Sequence, residues 1–159
     1  GAASRMLERL GLYLPGHIQH FFQLVHEANR GSQDSVDVAL VDRVYSDALV
    51  RTADSELGHW DQRLEDIIGV EHHNLARALL CEAARPAGLT AAVAHDLGAS
   101  MGVPPSDATR TLGGILANLV HDWYLVEANA RWTFASAYLR DYWLARYGAV
   151  YRAVAGGGP

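Results

Sequence analysis

The stretch Asp122 to Ser136, DWYLVEANARWTFAS, constrains the fold more than any other part of the chain. Two short apolar and aromatic runs flank the small turn Glu127-Ala128-Asn129-Ala130. Within the runs the faces alternate. Tyr124 and Val126 fall on one side and Leu125 and Glu127 on the other, while Trp132 and Phe134 oppose Arg131 and Thr133. A side-chain period of two belongs to a strand, so the stretch predicts a two-stranded β-ribbon. The run before it, TRTLGGILANLVH, spaces Leu112, Ile115, Leu116 and Leu119 as one face of a helix, with Ser106 as its expected N-cap.

Helical periods account for most of the remaining chain. Pro15 can open a helix, where its missing N–H costs nothing. Behind it Ile18, Phe21, Phe22, Val25 and Ala28 recur at three- and four-residue steps until Gly31. Asp37 is the expected N-cap of a second stripe: Leu40, Val41, Val44, Tyr45, Ala48 and Leu49. A third helix is expected from about Ser55 to Ile68, with Leu57, Trp60, Leu64, Ile67 and Ile68 inward. GVEHH, 69–73, changes the pattern without a Pro/Ser-rich linker, so the parts on either side should pack together.

Beyond it, Asn74–Arg85 turns Leu75, Ala78, Leu79 and Ala83 inward, and Thr90 caps a short helix with Val93, Ala94 and Leu97. After the ribbon a last helix, about Ala137–Tyr147, carries Leu139, Tyr142, Trp143 and Tyr147 on one side. Three helices, a ribbon and a closing helix are the order of a winged helix-turn-helix. The expected fold is therefore mostly α: a three-helix, lid-like unit over 11–73 packed on a winged helix-turn-helix over 74–147, with a flexible tail over 148–159.

Composition limits what such a fold can bind. The chain has 159 residues and 50% hydrophobic content, enough for one ordinary domain or two small ones sharing an interface. Residues 1–73 hold six arginines against twelve acids, a net of −6, and residues 74–159 hold seven against six, a net of +1. Neither half has the basic footprint that phosphate binding demands. Nine of the 14 aromatic residues follow position 120, where large rings are needed to close a small core. Cys81, the only cysteine, excludes an internal disulfide and lies on an apolar helix face, as expected of a buried residue in a reducing cytoplasm. No apolar run approaches the ~18 residues of a membrane span. The opening GAASRM lacks a signal-peptide core and is expected to be a cloning remnant or a cut inside a longer protein.

Two sets of segments resemble a known family. ILANLVHDWYLVEANARWTFASAYLRDYW is similar to the close of winged-helix domains attached to bacterial and archaeal P-loop ATPases of the AAA+/STAND kind. Their pattern runs helix, L-x-x-D-G/W-Y-L, turn, x-Y/W-x-F-x-S, L-R-D-Y/W-W. GLYLPGHIQHFF resembles the start of the helical lid in those ATPases, and LGHWDQRL its end. The resemblance covers about residues 11–147 and implies that the chain is the C-terminal half of a nucleotide switch. ATP or ADP would then belong to the parent protein, whose N-terminal P-loop domain would be the first partner. The resemblance sets Gly11 and Pro15 beside that nucleotide; a plain helix-starting proline accounts for Pro15 equally well. The G-x-x-x-x-G-K-S/T loop and the acidic Walker B strand are missing, and Gly113-Gly114 has no Lys-Ser/Thr after it. No cofactor is expected in this piece, and no hydrolysis.

Other chemistry has weaker support in the residues. Eight histidines invite a metal, yet no HExxH or CxxC occurs, and scattered surface histidines are the expected reading. Asp61, Glu65 and Asp66 with Arg63 are expected to form a solvated helix face, and Ser, His and Asp stand in no nucleophile-elbow order. DNA is the serious rival. The helix Asp107–His121 would enter the major groove with only Asp107 and Arg110 as charged residues. Arg110, Asn129, Arg131 and Arg140 are the candidate contacts to DNA or to a partner, with Arg146 and Arg152 as further phosphate contacts if the last helix lies alongside. The expected function is a non-catalytic regulatory and interaction module whose surface meets the parent's own domain, another protein or a second copy. A DNA-binding module of a transcription or replication regulator is the alternative.

Overall fold

The computed structural model describes residues 1–11, 15–31, 35–51 and 58–151, without the side chains of 49–51. The expected roles of Ser55, Leu57 and Arg152, and the tail after 151, lie outside the described residues, as does the side chain of Leu49. The order of elements is α1 (Ala2–Leu10), α2 (Pro15–Ala28), α3 (Val38–Arg51), α4 (Gly58–Ile68), α5 (His73–Ala83), α6 (Ala91–Ser100), α7 (Pro105–His121), β1 (Leu125–Ala128), β2 (Arg131–Phe134) and α8 (Ala137–Tyr147). The chain is mostly α, with one antiparallel hairpin and a final helix. Among the described residues no helix is long and apolar enough to cross a membrane.

α1 was not expected. Its sequence offers only Met6 and Leu10 to the core, too few positions to make a periodic signal. Tertiary contacts supply the rest: Arg5 and Arg9 both reach Asp42 of α3 at 2.9 Å. Short helices owe their stability to such docking rather than to propensity.

α2 turns a different face inward from the expected one. The buried row is His17, Phe21 and Val25, at four-residue spacing, while Phe22 is 41% exposed and Ala28 is exposed. Asp37 caps α3 as its side chain predicts, accepting the Leu40 N–H at 2.7 Å. Leu40, Val41, Val44, Tyr45 and Ala48 are buried beneath it.

α5 is the axis of the molecule. Leu75, Ala76 and every residue from Ala78 to Ala84 are buried, because α4, α6, α8 and β2 all pack on it. A helix buried nearly all round needs small side chains where neighbours approach, and three alanines, Ala76, Ala78 and Ala83, supply them. Thr90 caps α6 by accepting the Val93 N–H. α7 starts two residues ahead of expectation: Pro104, not Ser106, takes the N-cap and Pro105 the first helical position, where proline's fixed φ suits the entry. Leu112, Ile115, Leu116 and Leu119 face inward as their spacing predicts.

The exit from α7 sets up the hairpin. Trp123 takes φ +64, and the N–H groups of Trp123 and Tyr124 donate to the Val120 and Leu119 carbonyls at 3.2 and 3.0 Å. This paired closure normally employs glycine at the left-handed position. The turn drops Tyr124 into the core outside the ladder, so it does not share Val126's outer face. In the ladder Leu125 pairs with Phe134 and Glu127 with Trp132 on one face, Val126 with Thr133 on the other. The free edge of β2 is closed by Leu89, which exchanges two 2.9 Å hydrogen bonds with Trp132.

Asn129 and Ala130 turn the hairpin at φ +53 and +56. Both central residues at positive φ define the turn whose twist matches the strands, and it favours Asn-Gly. Alanine in the left-handed region costs about 1 kcal/mol. Ala130→Gly should therefore stabilise the protein, raising its melting temperature by about 2–4 °C in a chain of this size. Thermal unfolding followed by circular dichroism checks it; an unchanged or lower midpoint would contradict the strain.

Candidate functional site

The three segments that carry the family-like patterns meet in one buried seam. At its centre lies Ser136, the residue before α8, fully buried. Its hydroxyl caps α8 by accepting the Leu139 N–H and donates to the Leu10 carbonyl, each at 3.3 Å. His17 Nδ1 stands 3.3 Å from the same oxygen. One hydroxyl proton cannot serve two acceptors, so with Leu10 as acceptor the proton between Ser136 and His17 belongs to Nδ1. Gly11 bridges Ser136 at φ +71, and a Cβ there would sit 2.9 Å from the Ala137 nitrogen.

Aromatic rings extend the seam. His17 packs edge-on to Trp60 of α4 and Tyr138 of α8, at 5.6 and 5.8 Å between centroids. Trp60 leads to Tyr124 at 5.0 Å and Tyr124 to Trp143 at 6.2 Å. On the other side Tyr138 joins Tyr45 of α3 and Phe21 of α2. The Tyr124 hydroxyl donates to the Trp60 carbonyl at 2.6 Å. Arg63 pairs with Asp122, which follows α7, at 2.5 Å, and the Tyr45 hydroxyl donates to Asp141 of α8 at 2.7 Å.

A charged cluster lies beside the rings. Arg77 of α5 holds Asp61 of α4 through both carboxylate oxygens. The Arg77 guanidinium also covers the Tyr147 ring at 4.9 Å. His73, buried, stands 3.3 Å from Asp61 and 3.6 Å from Glu65. Burial of Asp61 works to raise its pKa, but hydrogen bonds from Arg77 and Tyr147 outweigh it and hold the carboxyl below the usual range. Asp61 is thus no solvated helix charge, and His17 and His73 are not surface histidines. They were hidden because a polar residue at the end of a helical row reads as surface, although His17 heads the row of Phe21 and Val25. The recoverable signal was the four-residue step from His17 to Phe21 and from His73 to Arg77.

The expected contact residues do not form one surface. Gly11 belongs to the seam, and Pro15 is exposed at the start of α2. Arg110 is exposed on α7 and pairs with Asp107 of its own first turn. Arg131 donates to the Ala87 carbonyl beside Asn129 in the hairpin. Arg140 pairs with Asp141 at 2.7 Å, at the α3 side of α8. Each of these arginines has a partner within the chain.

What α7 and the hairpin do present is an open groove of about 590 Å³. Ala94, His95, Leu116, Val120, Glu127 and Trp132 line it, and around Gly113 and Gly114 there is open space. Cys81 is elsewhere, inside α5, where burial pushes its thiol up to about 12, far from a reactive thiolate. Among the described residues no group of three His, Cys, Asp or Glu could hold a metal.

Two substitutions test the seam. A carboxyl whose folded pKa is depressed contributes stability above the usual carboxylate range and loses it as pH falls through the folded value. Asp61→Asn should cost about 1–3 kcal/mol at neutral pH and flatten the acid limb of the stability curve. Denaturant unfolding at neutral and acid pH measures both, and an unaltered acid limb would refute the role. Gly11→Ala should cost about 1–3 kcal/mol through backbone strain and its clash with Ala137. A variant melting with the parent would show that the chain crossing yields freely.

Comparison with known proteins finds no family model that matches the chain, no similar curated protein and no similar solved structure.

Proposed function

We propose that this chain is a non-catalytic regulatory and docking module, the helical lid and winged helix of an AAA+/STAND-like P-loop ATPase. The observation that carries the reading is the convergence of three patterned segments in one seam: Gly11 and His17, Trp60 and Asp61, Tyr124 and Ser136. Such a seam links lid and winged helix by packed rings and paired charges, so a displacement of the lid moves the winged helix with it. Coupling of this kind requires only that ATP- and ADP-bound states of the parent contact the lid differently. ATP or ADP would be held by the parent's phosphate loop, with Gly11 and Pro15 on the side that approaches it. The parent would work in the cytoplasm, in keeping with a lone buried thiol.

The winged-helix face suits protein better than DNA. Its groove is largely apolar, and Arg110, Arg131 and Arg140 lie on separate elements, each beside a partner in the chain, and do not form one basic face. Tight duplex binding needs several free cations on one face.

Two measurements test the reading. The coding sequence upstream of residue 1 should encode a G-x-x-x-x-G-K-S/T loop followed by an acidic strand; their absence would remove the ATPase assignment. Labelled duplex DNA titrated at low salt should bind no tighter than micromolar. A tighter complex with a steep salt dependence would instead make the module a DNA reader.

A further inference from the structure

The groove along α7 is self-complementary, and we propose that its occupant is α7 of a second copy in a two-fold dimer. This rests on reading the winged-helix face as a protein-docking surface and names the partner.

The argument starts from the outer rows of α7. Arg110, Gly114, Ala117 and His121 recur at three- and four-residue steps, next to the row Thr109, Gly113 and Val120. Between the two ends stand only small side chains, and a Cβ added at Gly113 or Gly114 would meet nothing within 4 Å. A helix crossing here can therefore come close. At one end lies Arg110, whose side chain is 82% exposed and paired only with Asp107. At the other end, with Val120, His121 and Trp132, lies Glu127, which makes no ion pair among the described residues.

An antiparallel second α7 crossing near Gly114–Ala117 reverses these ends. From Arg110 to the level of Val120 is about 15 Å of helix rise, so each Arg110 arrives over the other copy's Glu127. Val120 and Trp132, both half-buried, supply the apolar contact between the two charge pairs. The relation is isologous, as a closed two-fold interface requires. A single unpaired carboxylate at one end and a lightly held guanidinium at the other are what such a pairing uses.

Sedimentation equilibrium of the chain, from micromolar to near-millimolar concentration at low salt, tests the proposal. The parent chain should dimerise. Arg110→Glu alone and Glu127→Arg alone should each weaken association about tenfold or more by placing like charges together, and the two combined should restore it. Ala117→Arg, at the crossing point, should abolish the dimer. All three positions are exposed, and unchanged melting temperatures will confirm that the variants fold. A chain monomeric throughout the range overturns the proposal. So does a dimer indifferent to Arg110→Glu, or a double variant as weak as either single one. The DNA titration is independent of these outcomes: a monomer that ignores DNA sinks the dimer and leaves the docking reading in place.

Discussion

The fold depends on a single buried hydroxyl. Ser136 starts the last helix, receives the end of α1 at Leu10 and sits against His17 of α2, with Gly11 crossing directly over it. Residues more than a hundred positions apart are thereby fixed within one hydrogen-bond shell. A chain crossing this close admits no side chain on one partner, which is why position 11 is glycine at positive φ. With the crossing fixed, α8 must lie along α1, α3 and α5 at once, and the two expected units share one core.

The rings of α8 fill that shared core at a cost. Tyr142 Oη and Trp143 Nε1 are buried without a hydrogen-bond partner among the described residues. Each such group costs about 1–3 kcal/mol, so these rings are held for the area and shape they supply. Trp143 touches Tyr124, Phe134, Tyr142 and Tyr147, and so joins hairpin and helix to the seam. Polar links stand where the rings leave off: Arg77 and Asp61 between α4 and α5, Arg63 and Asp122 between α4 and the exit of α7.

Much of this architecture was legible in the sequence, and the reason is local. The alternation around Leu125 and Phe134, the caps Asp37 and Thr90, and the leucine row of α7 each report the conformation of their own few residues. The seam was less legible because its residues are chosen by distant neighbours. Nothing near His17 reveals that Ser136 will accept it, and nothing near Asp61 reveals Arg77 and Tyr147. Phe22 misled for the same reason: its spacing fits an apolar stripe, but it stays exposed and His17 takes the inner row with Phe21 and Val25. α1 was overlooked because two buried positions make no period, although Arg5 and Arg9 at a four-residue step already pointed toward a shared acid.

The distribution of charge argues the rest. This chain carries 13 cations, all arginine, and five of them are ties: Arg5 and Arg9 on Asp42, Arg63 on Asp122, Arg77 on Asp61, Arg85 on Glu82. A guanidinium forked onto a carboxylate resists rotation better than an ammonium would, because two parallel hydrogen bonds fix its plane. Several of these ties cross from one helix to another, so they stiffen the body against sliding. A DNA reader would instead leave its arginines on a solvent face, free to follow a phosphate backbone. The proposed transmission of motion between packed surfaces would draw on cations tied between helices and on a largely apolar groove along α7 that can meet another protein.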